Sequence, residues 1–392
     1  MRHSDVLVAG GGPVGLATAL FCAARGLVVT VLEAESETAV RAGSRAIFVH
    51  GDSLRAFGQA DPVLAERLAE RGMVWSGKHT LWAGRTVFRK SYPPCRSDAP
   101  PFTCLSQRDL ETELRGACRN AGVRLVWQTP VETVTVAHGH VEVGSGHRAS
   151  FLIGADGARS AVRTAIGTRL AGTRGDASFV VVDVADDPDR APRERVFHYR
   201  HPAAGHRHVL LAPFRGGVRV DLQCHPTDDI AALTADAATW VAPLLPEGTR
   251  PELTWISHYR FEQSVAETFV DGGRRVLLVG EAAHLFAPFG ARGLNSGVAD
   301  AAAAADAVVD SITAGGSRTE AVLRYDALRR GAAVRNRAAS DQALRQLLAA
   351  DTATRARQRG AAAVARYRGS AGAWLDRLPY GPADAGIPDS RY

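Results

Sequence analysis

Two kinds of apolar pattern alternate along this chain. Short runs, Val6-Leu7-Val8-Ala9, 27–32, Phe151-Leu152-Ile153 and Val276-Leu277-Leu278-Val279, are apolar throughout except at Thr30. Runs of this length predict strands covered on both faces, as in the centre of a parallel sheet. The first leads into a helical pattern over 16–24, and Leu110, Leu114 and Cys118 mark an amphipathic helix that ends near Gly122. A strand over 123–127 and an alternating hairpin (Val134, Val136; Val141, Val143) follow. Between 168 and 261 the period shortens to two, with alternating runs at 178–184, 195–199, 208–212 and 218–224. That spacing predicts an antiparallel sheet, with a short helix within 228–244. The segment 77–101 shows the same alternation at 80–82 and 86–88 before its prolines. Helical sequence dominates the last third. Asn295-Ser296 can cap a helix through Ala301 to Ile312, Gly315-Gly316 can stop it, and further helices are expected over 321–340 and 342–363. The stretch 379–392 reads as an extended surface arm.

Composition narrows the class without naming the chemistry. A chain of 392 residues that is 46% hydrophobic and 22% charged predicts a globular, soluble protein of two domains. The formal charge is +6, yet Lys78 and Lys90 are the only lysines, and no compact basic run interleaves with aromatics. A nucleic-acid surface is therefore not expected. Cys22, Cys95, Cys104, Cys118 and Cys224 are scattered without a C-x-x-C pair, which fits reduced thiols and a cytoplasmic setting. No run of about 18 apolar residues predicts a membrane span. Arg2 and His3 before an apolar stretch imitate a signal peptide, but Gly10-Gly11-Gly12-Pro13 interrupts it.

Three motifs carry the chemistry. Gly10-Gly11-Gly12-Pro13-Val14-Gly15 stands between the first strand and the first helix, and the spacing of Gly10, Gly12 and Gly15 permits a tight turn, close approach to a pyrophosphate and close helix–strand packing. The second strand ends at Glu33, where a ribose hydroxyl needs an acceptor. These residues predict dinucleotide binding. The second motif, Gly154-Ala155-Asp156-Gly157-Ala158-Arg159-Ser160, is on its own an ordinary Asp-Gly turn at a strand end. In the third, Gly280-Glu281-Ala282-Ala283-His284 is followed by Pro288, Gly290 and Gly293-Leu294-Asn295, read as a strand running straight into a helix.

In this order the three motifs resemble the single-component FAD-dependent aromatic hydroxylases of the para-hydroxybenzoate hydroxylase type, over nearly the whole chain. The resemblance implies an α/β fold: a Rossmann-like FAD-binding domain from 1–76, 102–167 and 262–310, an inserted antiparallel β-sheet substrate domain from 77–101 and 168–261, and C-terminal helices and tail over 311–392. It implies noncovalent FAD, NADPH or NADH as transient reductant, and O2 converted through a flavin C4a-hydroperoxide into a hydroxyl on a phenolic or polyketide-like ring. FAD contacts carried over are Gly10, Gly12, Pro13, Val14, Gly15, Glu33, Asp156, Gly157, Glu281, Gly293, Leu294 and Asn295. Arg45 is expected near the flavin and its phosphates, Gln107 at the ribityl chain, Val131 at adenine through its backbone, and Pro288 against the reactive ring edge. The helix start at Leu294-Asn295 would turn N–H groups and its positive end toward the reduced ring. Glu281 departs from the family's usual Asp and puts FAD affinity in question. The extra thioredoxin-like domain of longer relatives is not expected.

The substrate side is less legible. Tyr199, His208 and Tyr259, with His198, are candidates for contact with a phenol, and each is equally readable as sheet packing. His284 reads as a packed structural histidine. No Trp-x-Trp-x-Ile-Pro segment supports a halogenase. Epoxidation, oxidative rearrangement, reduction and a non-catalytic flavin-binding relative remain open, as do monomer and homodimer. No metal site is expected.

Overall fold

The computed structural model describes residues 4–39, 46–93, 100–137, 139–185, 193–246, 250–313, 318–349 and 351–381. Two sheets organise it. In the first, Ser4–Ala9 lies parallel to Val29–Leu32 on one side and to Arg148–Gly154 on the other. Arg124–Val126 extends one edge, Val276–Leu278 pairs with Arg148–Gly154, and the hairpin Val134–Ala137/His140–Val143 continues the sheet. Val6, Leu7, Val8 and Ala9 are all buried, as expected of a central strand covered on both faces, and helix Pro13–Ala23 packs against it.

Helix Pro13–Ala23 begins on Pro13, whose fixed φ and missing N–H suit a first helical turn. It is apolar nearly all round and packs against Arg292–Thr313, an alanine-rich helix whose Ala301, Ala304 and Ala305 let the two axes approach. The helix Arg318–Leu348 runs unbroken through 340–342, where two helices were expected. Ser340 is fully buried and donates to the Ala287 carbonyl, so this serine anchors the helix instead of ending it. Tyr325 on this helix donates to the Leu278 carbonyl, which ties the C-terminal third to the end of a central strand.

The second sheet is built from distant pieces in the order His284–Leu285, Glu252–Ala266, Leu170–Ala185, Gly217–Gln223, Arg207–Phe214, Glu194–His201, Gly77–Trp82 and Arg85–Ser91. All neighbours are antiparallel except Glu194–His201 with Gly77–Trp82, which run parallel. A separate ribbon, Ala46–His50 with Phe102–Ser106, stands between the two sheets' helices and the second sheet. One expectation needs correction here. The third motif does not pass straight from strand to helix: a 3-10 turn at Gly280–Ala282 and the two-residue strand His284–Leu285 intervene, and the helix starts at Arg292 rather than at an Asn295-Ser296 cap. His284–Leu285 pairs with Glu252–Ala266, so this motif physically joins the two sheets. Among the described residues, no helix is long and apolar enough to cross a membrane.

Candidate active site

The joint between the sheets encloses a cavity of about 1200 Å³. One wall is made of backbone. Gly10 has φ +97°, and a Cβ there would lie 2.5 Å from the Ala155 carbonyl oxygen; one on Gly15 would lie 1.9 Å from the Gly10 carbonyl oxygen. Neither position tolerates a side chain, which brings the glycine loop against the Asp-Gly turn. Gly10, Gly12, Pro13 and Val14 line the cavity, whereas Gly15 sits behind them and serves only the close packing of helix on strand. Glu33 accepts hydrogen bonds from the Gly11 and Glu35 amides, so its carboxylate is held at the cavity wall.

Asp156 is oriented by its own turn. Its carboxylate accepts from Ser160 Oγ at 2.5 Å and from the Val162 amide at 3.0 Å, while its residue and Gly157 face the cavity. Arg163 then donates to the Ala282 carbonyl at 3.0 Å and the Ala158 carbonyl at 2.8 Å, clamping the second motif to the third. The third motif contributes Glu281, exposed at the cavity, and Pro288, Gly290, Gly293 and Leu294. His284 is buried beside Asp300, with Nε2 2.7 Å from the carboxylate, and Asp300 also accepts from Arg329 and the Gly280 amide. Burial pushes the Asp300 carboxyl up, but His284 and Arg329 outweigh it and leave the group below the usual carboxylate range. This network holds the turn from beneath and does not reach the cavity.

Asn295 is also a joint. Its Oδ1 accepts from the His50 amide at 2.9 Å and Ser53 Oγ at 2.7 Å, and its Nδ2 donates to the carbonyls of Phe48 and Ala291 at 2.9 and 2.7 Å. With that hydrogen-bonding capacity used and no place in the cavity lining, its side chain is not a ligand contact. Gln107 follows the Ser106 N-cap, lines the cavity and donates to Glu111 at 2.9 Å; Val131 lines it beside Pro130. Arg45 lies outside the described residues. His50 faces the cavity too, and burial draws its imidazole down to about 4 although its ring approaches the Gly290 carbonyl.

The opposite wall is made of side chains on the second sheet. Phe179, Tyr259, Phe261 and Phe197 form an apolar floor, and Trp75, Phe48 and Phe102 stack at its side. Of the substrate candidates only Tyr259 lines the cavity. Tyr199 is fully buried and donates to the Leu375 carbonyl at 2.7 Å. His208 accepts from the Arg200 amide at Nδ1 and, through Nε2–H, donates to the Leu347 carbonyl at 3.0 Å. Those bonds require the neutral ring, and burial lowers its pKa to about 4. Both residues strap the sheet to the C-terminal helices, which corrects their assignment to substrate. His198 is absent from the lining as well.

Residues that the sequence reading passed over complete the wall: Lys78, Arg195, the Arg219–Asp221 pair, and Tyr380. The signal was available, since Lys78 and Thr80, Arg195 and Phe197, and Arg219 and Asp221 each share the inward parity of an alternating strand. Tyr380 was expected on a surface arm, but Leu378–Tyr380 folds as a 3-10 turn whose tyrosine lines the cavity; 382–392 lie outside the described residues.

This arrangement fits an elongated dinucleotide carrying a flat ring. Positions where a Cβ would meet nothing within 4 Å, Gly157 and Gly293, open onto the cavity. Two helix N-termini, at Pro13 and Arg292, also face it and supply N–H groups and partial positive charge. Among the described residues no cluster of His, Cys, Asp and Glu could hold a metal ion.

A family model described as "FAD binding domain" matches residues 3–340. A 3-(3-hydroxy-phenyl)propionate/3-hydroxycinnamic acid hydroxylase of Mycolicibacterium smegmatis is 28% identical over 311 residues, 76% of this chain and 53% of that protein. A 6-methylpretetramide 4-monooxygenase of Streptomyces rimosus is 30% identical over 345 residues, 83% of this chain and 59% of that protein. The chain thus spans about half the length of the first of these curated relatives. The crystal structure of a p-nitrophenol 4-monooxygenase from Pseudomonas putida DLL-E4 superposes with a TM-score of 0.78 at 25% identity, covering 97% of this chain and 98% of that one.

Proposed function

From the premise that this chain belongs to the FAD-binding domain family, we propose that it is a FAD-dependent monooxygenase that uses NADPH or NADH and O2 to hydroxylate an aromatic small molecule of phenolic or polyketide-like type. The observation that carries this reading is one shared cavity, with three glycine-containing loops on one side and an aromatic wall on the other. Relatives named for hydroxylating hydroxyphenyl acids and a pretetramide support the substrate class.

When bound, FAD supplies the electron transfer and oxygen activation that no side chain here offers. The protein's own residues do the rest. Glu33 and Val131 would take the adenosine end, Gly10, Gly12 and Pro13 with Asp156 and Gly157 the pyrophosphate, and Gln107 and Glu281 the ribityl chain. N–H groups at the start of Arg292–Thr313, near Gly293 and Leu294, would stabilise negative charge on the ring, as an oxyanion hole does. Pro288 would close the reactive edge. Phe179, Phe197 and Phe261 exclude water from the opposite face, and Tyr259 is the described candidate placed to meet a phenolic hydroxyl. Cys22, Cys104, Cys118 and Cys224 are all unpaired, which supports a reducing compartment such as the cytoplasm.

The test is consumption of NAD(P)H by FAD-loaded protein in the presence of phenolic acids under ¹⁸O2. The expected result is substrate-stimulated oxidation with one labelled oxygen atom in the product. Oxidation without oxygen transfer to any phenol would replace this reading with that of an oxidase or reductase.

A further inference from the structure

Four carbonyls of the segment that feeds the helix Arg292–Thr313 are occupied. The Ala287 oxygen accepts from Ser340 Oγ at 3.1 Å, the Pro288 oxygen from the Ala291 amide at 3.1 Å, and the Ala291 oxygen from Asn295 Nδ2 at 2.7 Å. The Gly290 oxygen is met by a ring instead: His50 Nε2 stands 3.4 Å from it, a long hydrogen bond. A carbonyl can only accept, so Nε2 carries the hydrogen. His50 fixes Asn295 as well, whose Oδ1 accepts from the His50 amide at 2.9 Å. One residue of the ribbon strand Ala46–His50 thus reaches the segment at two points.

The segment needs that support. Gly290 has φ +79° and Ala291 φ +52°. Two left-handed residues in succession, one of them not glycine, persist only where the surroundings hold them. Pro288, Gly290, Ala291 and His50 all line the cavity, beside the N–H groups that open the helix. Those N–H groups present positive partial charge, and a free carbonyl oxygen among them would present the opposite. Where water is excluded, a dipole of the wrong sign costs more than it does in solution. His50 meets this need as a neutral group. Burial lowers its imidazole to about 4, and the charged groups that face it oppose one another: Asp52, two residues along the chain, raises it, and Arg292, across the turn, lowers it. The ring is set edge-on to Phe48, with centroids 5.0 Å apart.

Resting on the reading that FAD lies in this cavity, we propose that His50 is a positioning residue for the flavin: its Nε2–H holds the Gly290 carbonyl, so that the reduced ring meets N–H donors at this turn and no free acceptor. The consequence is a flavin that is easier to reduce. His50 acts through the backbone of Gly290 and Ala291 and takes up no proton in the reaction.

The experiment measures the flavin midpoint potential of FAD-loaded protein, without substrate or O2, in wild type and two variants. His50→Phe keeps a ring against Phe48 and loses the donor, whereas His50→Gln loses the ring and keeps an N–H. In His50→Phe the reduced flavin should be disfavoured about fivefold to tenfold, the scale of one hydrogen bond, which for a two-electron couple is a fall of about 20 to 30 mV. His50→Gln should stay within about twofold of wild type, or about 10 mV. The gap between wild type and His50→Phe should be constant from about pH 5.5 to 8, since a neutral ring does not titrate there. An unshifted His50→Phe, a His50→Gln that falls as far, or a gap that closes as pH rises through about 6.5, the mark of an imidazolium charge, overturns the proposal. If His50→Phe fails to hold FAD, ¹⁵N NMR of the wild-type histidines decides, with the His50 signal assigned by its loss in His50→Gln. A neutral ring protonated at Nε2 at pH 7 is expected, and an imidazolium or the Nδ1–H tautomer overturns the proposal. A protein that shows these shifts yet transfers no oxygen to any phenol loses the hydroxylase reading and not this one.

Discussion

The two walls of the cavity are made in different ways. The loop wall is backbone: Gly10 and Gly15 are there because a Cβ would strike a carbonyl, Asp156 accepts from an amide of its own turn, and Glu33 accepts from the Gly11 amide of the glycine loop and from the Glu35 amide. The sheet wall is side chains drawn from strands as far apart as Gly77–Trp82 and Glu252–Ala266. The first wall holds a ligand of fixed shape, and its residues are replaceable only at the cost of the fold. The second leaves the fold intact when its inward residues change, and so it is where one scaffold acquires its specificity.

If that division is right, damage should differ in kind between the walls. The largest effect is expected from Gly15→Ala, which places a Cβ within 1.9 Å of the Gly10 carbonyl oxygen. It should cost roughly 3 kcal/mol or more and abolish FAD retention, read by thermal unfolding and flavin absorbance.

Next comes the strap behind the sheet wall. His208 is neutral when folded, with a pKa of about 4 against the ordinary 6.5, because burial disfavours the imidazolium. Between those values the unfolded chain binds a proton that the folded one does not, so stability rises with pH across this window and is lost as pH falls from 6.5 toward 4. The share of this one group is about 3 kcal/mol. His208→Gln, which keeps one donor and one acceptor, should flatten the denaturation profile in that window without affecting the substrate KM. An unchanged profile would contradict the neutral, buried state assigned to His208.

A smaller effect is expected at Tyr199→Phe, where the Leu375 carbonyl loses its donor. Unfolding should become easier by about 1 kcal/mol, with turnover unchanged. A fall in turnover at unchanged stability would mean the phenol reaches the chemistry. The smallest is Glu281→Asp, which shortens an exposed acceptor at the cavity and should tighten FAD by no more than about threefold to tenfold in equilibrium dialysis.

Legibility in the sequence follows the same division. A glycine demanded by a steric clash, an Asp-Gly turn and a continuous apolar strand are local facts, and local facts survive reading one residue at a time. Gly10 and Glu33 were found that way, Asp156 and Pro288 through the resemblance that the three motifs carry together, and all line the cavity. The third motif was misread in its detail because His284–Leu285 pairs with a strand of the other sheet, a nonlocal contact that no spacing encodes. The sheet wall failed for the same reason. Tyr199 and Phe197 have the same parity on one strand, yet the Phe197 side chain lines the cavity while Tyr199 is met by the helix Gly369–Arg377 and capped by Leu375. Arg195 looked like one of many arginines in an arginine-rich chain. Only its burial and its register beside Lys78 mark it out.

The most direct test of the shared cavity is a crystal structure of the FAD-loaded protein. It should show the adenine end beside Glu33 and Val131 and the flavin ring between the Pro288–Gly290–Leu294 segment and the wall of Tyr259 and Phe261. A flavin bound elsewhere, or a ring whose open face is shut off from Arg195 by the protein's own side chains, would contradict it.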